Sequence, residues 1–143
     1  LYESLDDYVW TRIPSPEALG ELRMSTMKRF LGDYRRGKEE GRYLAASLPH
    51  LPFQDGAFDR ALCSHFLFLY SDQLSAEFHF RAIREMLRVA REARIFPLLT
   101  LGGHPSPHLD VVCRALRNSG RDFEIKTVDY EFQRGGNRML RIW

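Results

Sequence analysis

The sequence predicts an α/β fold: a mostly parallel sheet with flanking helices, finished by an antiparallel hairpin at the C-terminus. Three observations carry this expectation. From residue 42 onward short apolar runs alternate with helix-period segments, the signature of strands joined by crossover helices. The stretch Ser75 to Arg91 has the strongest helical pattern in the chain, with Ile83, Met86, Leu87 and Ala90 at i, i+3, i+4 and i+7 and Arg81, Arg84, Arg88 and Arg91 on another stripe. Two strand-like runs, residues 123–132 and 137–143, flank Arg134-Gly135-Gly136, and glycine supplies the positive dihedrals a hairpin needs.

Composition sets the bounds. A chain of 143 residues with 44% hydrophobic and 13% aromatic content can build a real core. The 21 basic and 19 acidic side chains leave a net charge of +2, too small to mark a nucleic-acid binder. No apolar stretch approaches the roughly 20 residues needed to cross a bilayer, so no membrane partner is expected. Cys63 and Cys113 lack metal-type spacing and follow no secretory leader, which points to reduced packing residues in a cytoplasmic protein. The chain opens on Leu1 and runs directly into Tyr2, Leu5, Tyr8, Val9 and Trp10, as a chain does after loss of a leader or of a structured segment.

Taken in order, Ser15-Pro16-Glu17 is a helix start: serine caps, proline suits the first turn, and the carboxylate complements the positive helix end. The helix is expected from 16 to 36, with Gly37 and Gly41 breaking it, and residues 1–41 form an N-terminal helical segment distinct from 42–143. Residues 42–48 (RYLAASL) fit a buried strand, and Pro49 and Pro52 force a loop after it. Following the Asp55-Gly56 turn, residues 58–64 (FDRALCS) make the next strand, which finishes at His65. After the 75–91 helix, residues 94–101 (RIFPLLTL) form a further strand despite the missing donor of Pro97. Residues 107–119 make a helix with Leu109, Val112, Cys113 and Leu116 inward, and Asn118-Ser119-Gly120 closes it.

The run Leu51-Pro52-Phe53-Gln54-Asp55-Gly56-Ala57-Phe58-Asp59, continued by a strand ending in Ser64-His65, resembles the LPF-x-DG-x-FD segment of class I S-adenosylmethionine-dependent methyltransferases. Arg84-Glu85-Met86-Leu87-Arg88-Val89 resembles the helix that comes after it in that family. The resemblance covers residues 42–143 and implies a Rossmann-like sheet ordered 3-2-1-4-5-7-6, with the cofactor over the carboxyl ends of the central strands. By order, residues 42–48 become the family's third strand, 58–64 its fourth, 94–101 its fifth, and the hairpin its sixth and seventh. The first two strands, with the glycine-rich turn and the ribose-binding acid, have no counterpart in the sequence.

The resemblance therefore implies the C-terminal part of a methyltransferase whose parent protein binds S-adenosylmethionine, while this chain by itself is expected to be inactive. It places Ser47, Leu48, Ser64, His65 and Phe66 at the cofactor, with serine at Ser47 where relatives carry an adenine-holding aspartate. His65, at the carboxyl end of a central strand, is the candidate catalytic residue, as a base or as a wall of the methyl-transfer site; a packed histidine with one satisfied ring nitrogen is the equal alternative. The sequence after Ser64 lacks the Asn/Asp-Pro-Pro-aromatic motif of base-amine methylation, which favours a small-molecule or protein acceptor over nucleic acid. Phe66, Phe68 and Tyr70 are pocket walls or, with better odds, core. His104, His108 and Asp110 lack a fourth ligand, so no metal site is expected. The arginines between 81 and 94 are a solvated helix face or phosphate ligands, and Tyr130, Arg134 and Arg138 are within reach of a substrate or structural. With two strands missing, the 58–64 strand is expected to have its open edge covered by the 42–48 strand or by a second copy of the chain. A non-catalytic module of the same fold, dimeric through that edge, is the alternative function.

Overall fold

A computed structural model describes residues 2–143; Leu1, on which the sequence opens, lies outside them. The chain divides into two compact units, Leu1–Ala46 and Ser47–Trp143.

The first unit holds a short 3-10 turn, Tyr2–Asp7, and helix α1, Pro16–Glu39. Ser15 caps α1 by accepting from the Ala18 amide at 3.2 Å, as the Ser-Pro-Glu start predicts. The helix runs through Gly37 rather than stopping there. Gly37 is buried because the Tyr43 ring occupies the space a Cβ would need, so this glycine serves close packing. Gly41 is the true terminator: its φ is 72°, and the Arg42 amide reaches back to the Gly37 carbonyl at 2.7 Å. Asp33 fastens the following turn by accepting both prongs of the Arg42 guanidinium, at 2.6 and 2.9 Å, and the Tyr43 hydroxyl at 3.0 Å. These bonds, Arg42 first, hold its carboxyl well below the usual carboxylate range.

The second unit is a four-stranded mixed sheet with two helices. Its elements are β1 (Phe58–Ser64), α2 (Ala76–Val89), β2 (Ala90–Phe96), α3 (Leu109–Asn118), β3 (Phe123–Thr127) and β4 (Arg138–Ile142). The order is β1-β2-β4-β3, with β1 parallel to β2 and β4 antiparallel to both of its neighbours. One pairing in three is parallel, where a mostly parallel sheet was expected, because β4 returns from β3 and inserts between it and β2.

Residues 42–48 form no strand. Ser47 makes an isolated bridge to His50, three residues on, and the outer edge of β1 has no strand beside it among the described residues. An apolar run without a ladder to join cannot satisfy its backbone as a strand, and here it turns back on itself instead. The expectation that this segment covers β1 is thereby overturned.

The β2 boundaries also move. The strand begins at Ala90, immediately after α2, and ends at Phe96 because Pro97 has no amide to donate to a ladder. Leu98 and Leu99 beyond it are buried in a loop, tied by Ser106 N to Leu98 O at 3.1 Å and Thr100 N to His104 O at 2.8 Å. Likewise β3 stops at Thr127, and residues 128–137 form a folded connection in place of a tight hairpin. Gly136 is required there, since a Cβ would lie 2.8 Å from the Gln133 carbonyl oxygen.

Strand alternation sorts the two faces. Ala61, Cys63, Ala93, Ile95, Leu140 and Ile142 join Ile83, Met86, Leu87, Val112, Cys113 and Leu116 of the helices in one core. Both cysteines are buried free thiols whose pKa burial pushes up. On the opposite face Glu92 accepts from Arg60 at 2.7 Å, Arg94 at 2.6 Å and Arg141 at 2.7 Å, stitching three strands with charge. Arg141 first, then its neighbours, hold the Glu92 carboxyl at about 2. Among the described residues no helix is long and apolar enough to cross a membrane.

Candidate functional site

The carboxyl end of β1 is closed by an unusual residue. His65 has φ 53°, and it is the one non-glycine among the described residues in the left-handed region. That conformation reverses the chain and lets the His65 amide donate to the Phe96 carbonyl at 2.7 Å, joining the ends of the two parallel strands. The next run dives into the core: Leu67 and Phe68 are fully buried, while Phe66 and Tyr70 stay exposed with rings 6.1 Å apart. The aromatic run thus splits, Phe68 being core and Phe66 a wall.

The His65 imidazole is exposed, so it is not packed under a helix. Its Nδ1 shares a 2.8 Å hydrogen bond with Ser64 Oγ, and its ring stands edge-on to Phe96 at 5.5 Å. Phe96 in turn meets Tyr130 at 6.0 Å. Ser64, His65, Phe96, Val128, Tyr130 and Met139 enclose an opening of about 290 Å³. Among the described residues no group bonds Nε2 and no carboxylate bonds Nδ1, so the Ser64–His65 pair lacks the acid of a nucleophilic triad. What it offers is one imidazole nitrogen able to accept or donate a proton beside an apolar, aromatic wall.

A second groove of about 450 Å³ runs along the β1 edge, where Leu48, Ser64 and Phe66 meet Leu51, Phe58 and Leu62. The five residues named for the cofactor are therefore divided. Leu48, Ser64 and Phe66 line the edge groove, Ser64 and His65 line the strand-end opening, and Ser47 lines neither. Neither lining contains a carboxylate, so nothing in them could hold ribose hydroxyls as an acid does. The donor set fits only the apolar and aromatic part of an S-adenosyl ligand.

Of the other residues singled out, Tyr130 lies in the strand-end opening, whereas Arg134 and Arg138 do not line it. His108 Nε2 meets the Ser71 carbonyl at 3.0 Å, while the backbone carbonyl of His104 accepts from the Thr100 amide. Asp110 lies exposed in the first turn of α3. Sequence reasoning missed Phe96 and Met139 at the opening. A signal for Phe96 exists in its position before Pro97, since the ladder must end there and its last rung then borders the open end of the sheet.

It also missed a buried polar knot that joins the 71–79 segment to the loop before α3. Ser71 Oγ and Ser106 Oγ share a 2.7 Å bond, and His79, fully buried, lies 4.9 Å from the His108 ring with Nδ1 2.8 Å from the Ser75 carbonyl.

The comparisons with known proteins add a relative without a described activity. The "Uncharacterized protein MJ0045" of Methanocaldococcus jannaschii is 34% identical over 137 residues, 96% of this chain. The chain spans 59% of that relative's length. No family model matches the chain. No solved structure matches it.

Proposed function

We propose that this chain is the C-terminal part of a Rossmann-like, S-adenosylmethionine-dependent methyltransferase. The observation that carries the reading is the strand order. β1-β2-β4-β3, with the first pair parallel and the last strand inserted antiparallel, coincides with the 4-5-7-6 half of the sheet that the 51–65 and 84–89 motifs imply. The motif resemblance and this strand order both support the reading.

The site supports the reading in part. In open α/β sheets ligands lie at the carboxyl ends of parallel strands; Ser64 and Phe96 are those ends here, and His65 follows directly on the first. A non-glycine residue held at φ 53° costs of order 1 kcal/mol or more and persists where surroundings impose it, often at functional positions. S-adenosylmethionine supplies an electrophilic methyl group when bound. The residues of this chain would contribute the aromatic wall of Phe96 and Tyr130, the Ser64 hydroxyl and the His65 imidazole, which orients or deprotonates an acceptor. The remaining contacts, above all an acid for the ribose, belong to the rest of the parent protein. The acceptor is a small molecule or a protein side chain.

A second reading rests on the uncovered edge of β1, where Leu62 is 72% exposed. An interaction module dimeric through that edge would use it directly. Isothermal titration of S-adenosylmethionine and S-adenosylhomocysteine into this chain and into its full-length parent separates the two. Binding by the parent, weak or absent in the chain alone, is the expected result; binding by neither would sink the methyltransferase and favour the module.

A further inference from the structure

We propose that the groove between α2 and the C-terminal end of α3 is an anion site that takes the phosphate group of a small phosphorylated ligand. The groove encloses about 600 Å³ and shares no lining residue with the His65 opening. Four guanidinium groups, Arg81, Arg84, Arg88 and Arg121, face two carboxylates there, Asp55 and Glu85.

Both carboxylates are already spent on one of the four. Arg88 donates to Glu85 at 2.6 Å and to Asp55 at 2.7 Å, and its remaining donors go to the Phe53 and Leu51 carbonyls at 2.8 and 3.0 Å. Glu85 is further fixed by the Leu51 amide at 2.7 Å, and the Arg88 bond above all holds its carboxyl at about 2. Arg88 and its acids are thus a structural clasp that pins the 51–55 loop against α2.

The other three have no acid. The guanidinium groups of Arg84 and Arg121 make no hydrogen bond or ion pair with any described residue, and the side-chain polar contact of Arg81 is His50 Nε2 at 3.5 Å, itself a basic group. Arg81 and Arg84 are neighbours at i, i+3 on a helix whose other face, including Ile83 and Met86, is locked in the core, so their roots are fixed side by side. Like charges at that spacing oppose the helix, and Arg84 has Arg88 at i+4 as well. Arg121 enters from the α3–β3 turn to complete the wall. Several planar donor forks around one concave space, with the nearby acids neutralised, match the tetrahedral, multiply charged oxygens of a phosphate.

The test is calorimetric titration of inorganic pyrophosphate into the 143-residue chain at low ionic strength, beside inorganic phosphate, citrate and a short single-stranded RNA. Saturable binding of pyrophosphate to one site, tighter than citrate, is expected. The double variant Arg84→Gln/Arg121→Gln should weaken it by at least about tenfold, the scale of losing charge-assisted bonds. Arg114→Gln, an exposed arginine of α3 outside the groove, should leave it unchanged. Circular dichroism of the variants guards against misfolding. Absence of saturable binding, equal affinity for citrate, or equal loss in Arg114→Gln would overturn the site. Tighter binding of the RNA than of pyrophosphate would overturn the small ligand in favour of a nucleic-acid backbone.

Discussion

The two edges of the sheet are built on different plans. The β3 edge is five residues long and presents Lys126 and Thr127 to solvent, with Glu124 tied to Arg141 at 3.1 Å and Arg117 stacked over Phe123 at 5.0 Å. Short length and charge are how natural sheets discourage pairing with strangers. The β1 edge is seven residues long and carries Phe58 and Leu62, 43% and 72% exposed, beside an apolar groove. Among the described residues it is paired on one side alone and still carries large apolar side chains in solvent. The contrast teaches that β3 is finished as an edge, whereas β1 leaves large apolar side chains and an unpaired ladder in the open, the feature on which both readings proposed above depend.

Substitutions can break or sharpen that contrast. The largest effect should come from the shared core: Phe68→Ala removes a fully buried ring and should cost about 3–5 kcal/mol in urea unfolding. A loss below about 1 kcal/mol would mean that the core beneath β1 is not packed as described. Glu92→Gln comes next, since it removes the negative charge shared by three arginines on three strands. Because its folded pKa of about 2 lies below the ordinary 4.5, the stabilisation is present above pH 4.5 and disappears as the pH falls through 2. The variant should therefore be less stable than the parent chain at pH 7 and converge on it in strong acid; a constant difference at every pH would remove the network from the account.

A smaller pH effect belongs to His79. Burial, ahead of its neighbour His108, lowers its pKa below the ordinary 6.5, so the unfolded chain takes up a proton first. Stability should fall as the pH drops below about 6.5, and His79→Leu should flatten that part of the profile if the slope originates there. The smallest change in stability, within about 0.5 kcal/mol, is expected for Leu62→Lys, because the side chain is already in solvent. Its effect should appear in sedimentation velocity as loss of concentration-dependent association, while the equivalent change at Thr127 alters nothing. Identical behaviour of the two variants would erase the distinction between the edges.

Much of the second unit was legible in the sequence because its helices bury one stripe and its strands alternate. Leu109, Val112, Cys113 and Leu116 are inward as their spacing requires, and β1 has the bounds that Asp55-Gly56 and His65 suggest. Boundaries failed where one pattern served two structures. Ala90 continues the helical period of α2 and yet begins β2, while residues 42–48 have strand composition without a ladder to join. Gly37 resembles a helix breaker, and only the Tyr43 ring reveals why it sits within the helix. At the site, the position of His65 could be read, but its left-handed backbone and the Phe96 and Met139 walls depend on strand neighbours distant in sequence. The Glu92 cluster was hidden for the same reason, since Arg60 and Arg141, two of its three arginines, lie 32 and 49 residues away.

The direct passage from α2 to β2 has a consequence for how the chain tolerates changes in length. The Ala90 amide still closes the helix on Met86, while its own backbone, at φ −137° and ψ 152°, is already extended, so no residue between them can absorb slack. Adding or deleting a single position there would exchange the two faces of β2, sending Glu92 and Arg94 into the apolar interior and Ile95 out of it. Insertions and deletions in this lineage should accordingly accumulate in residues 97–108 and 128–137, and the helix–strand splice should keep its length even where its side chains drift.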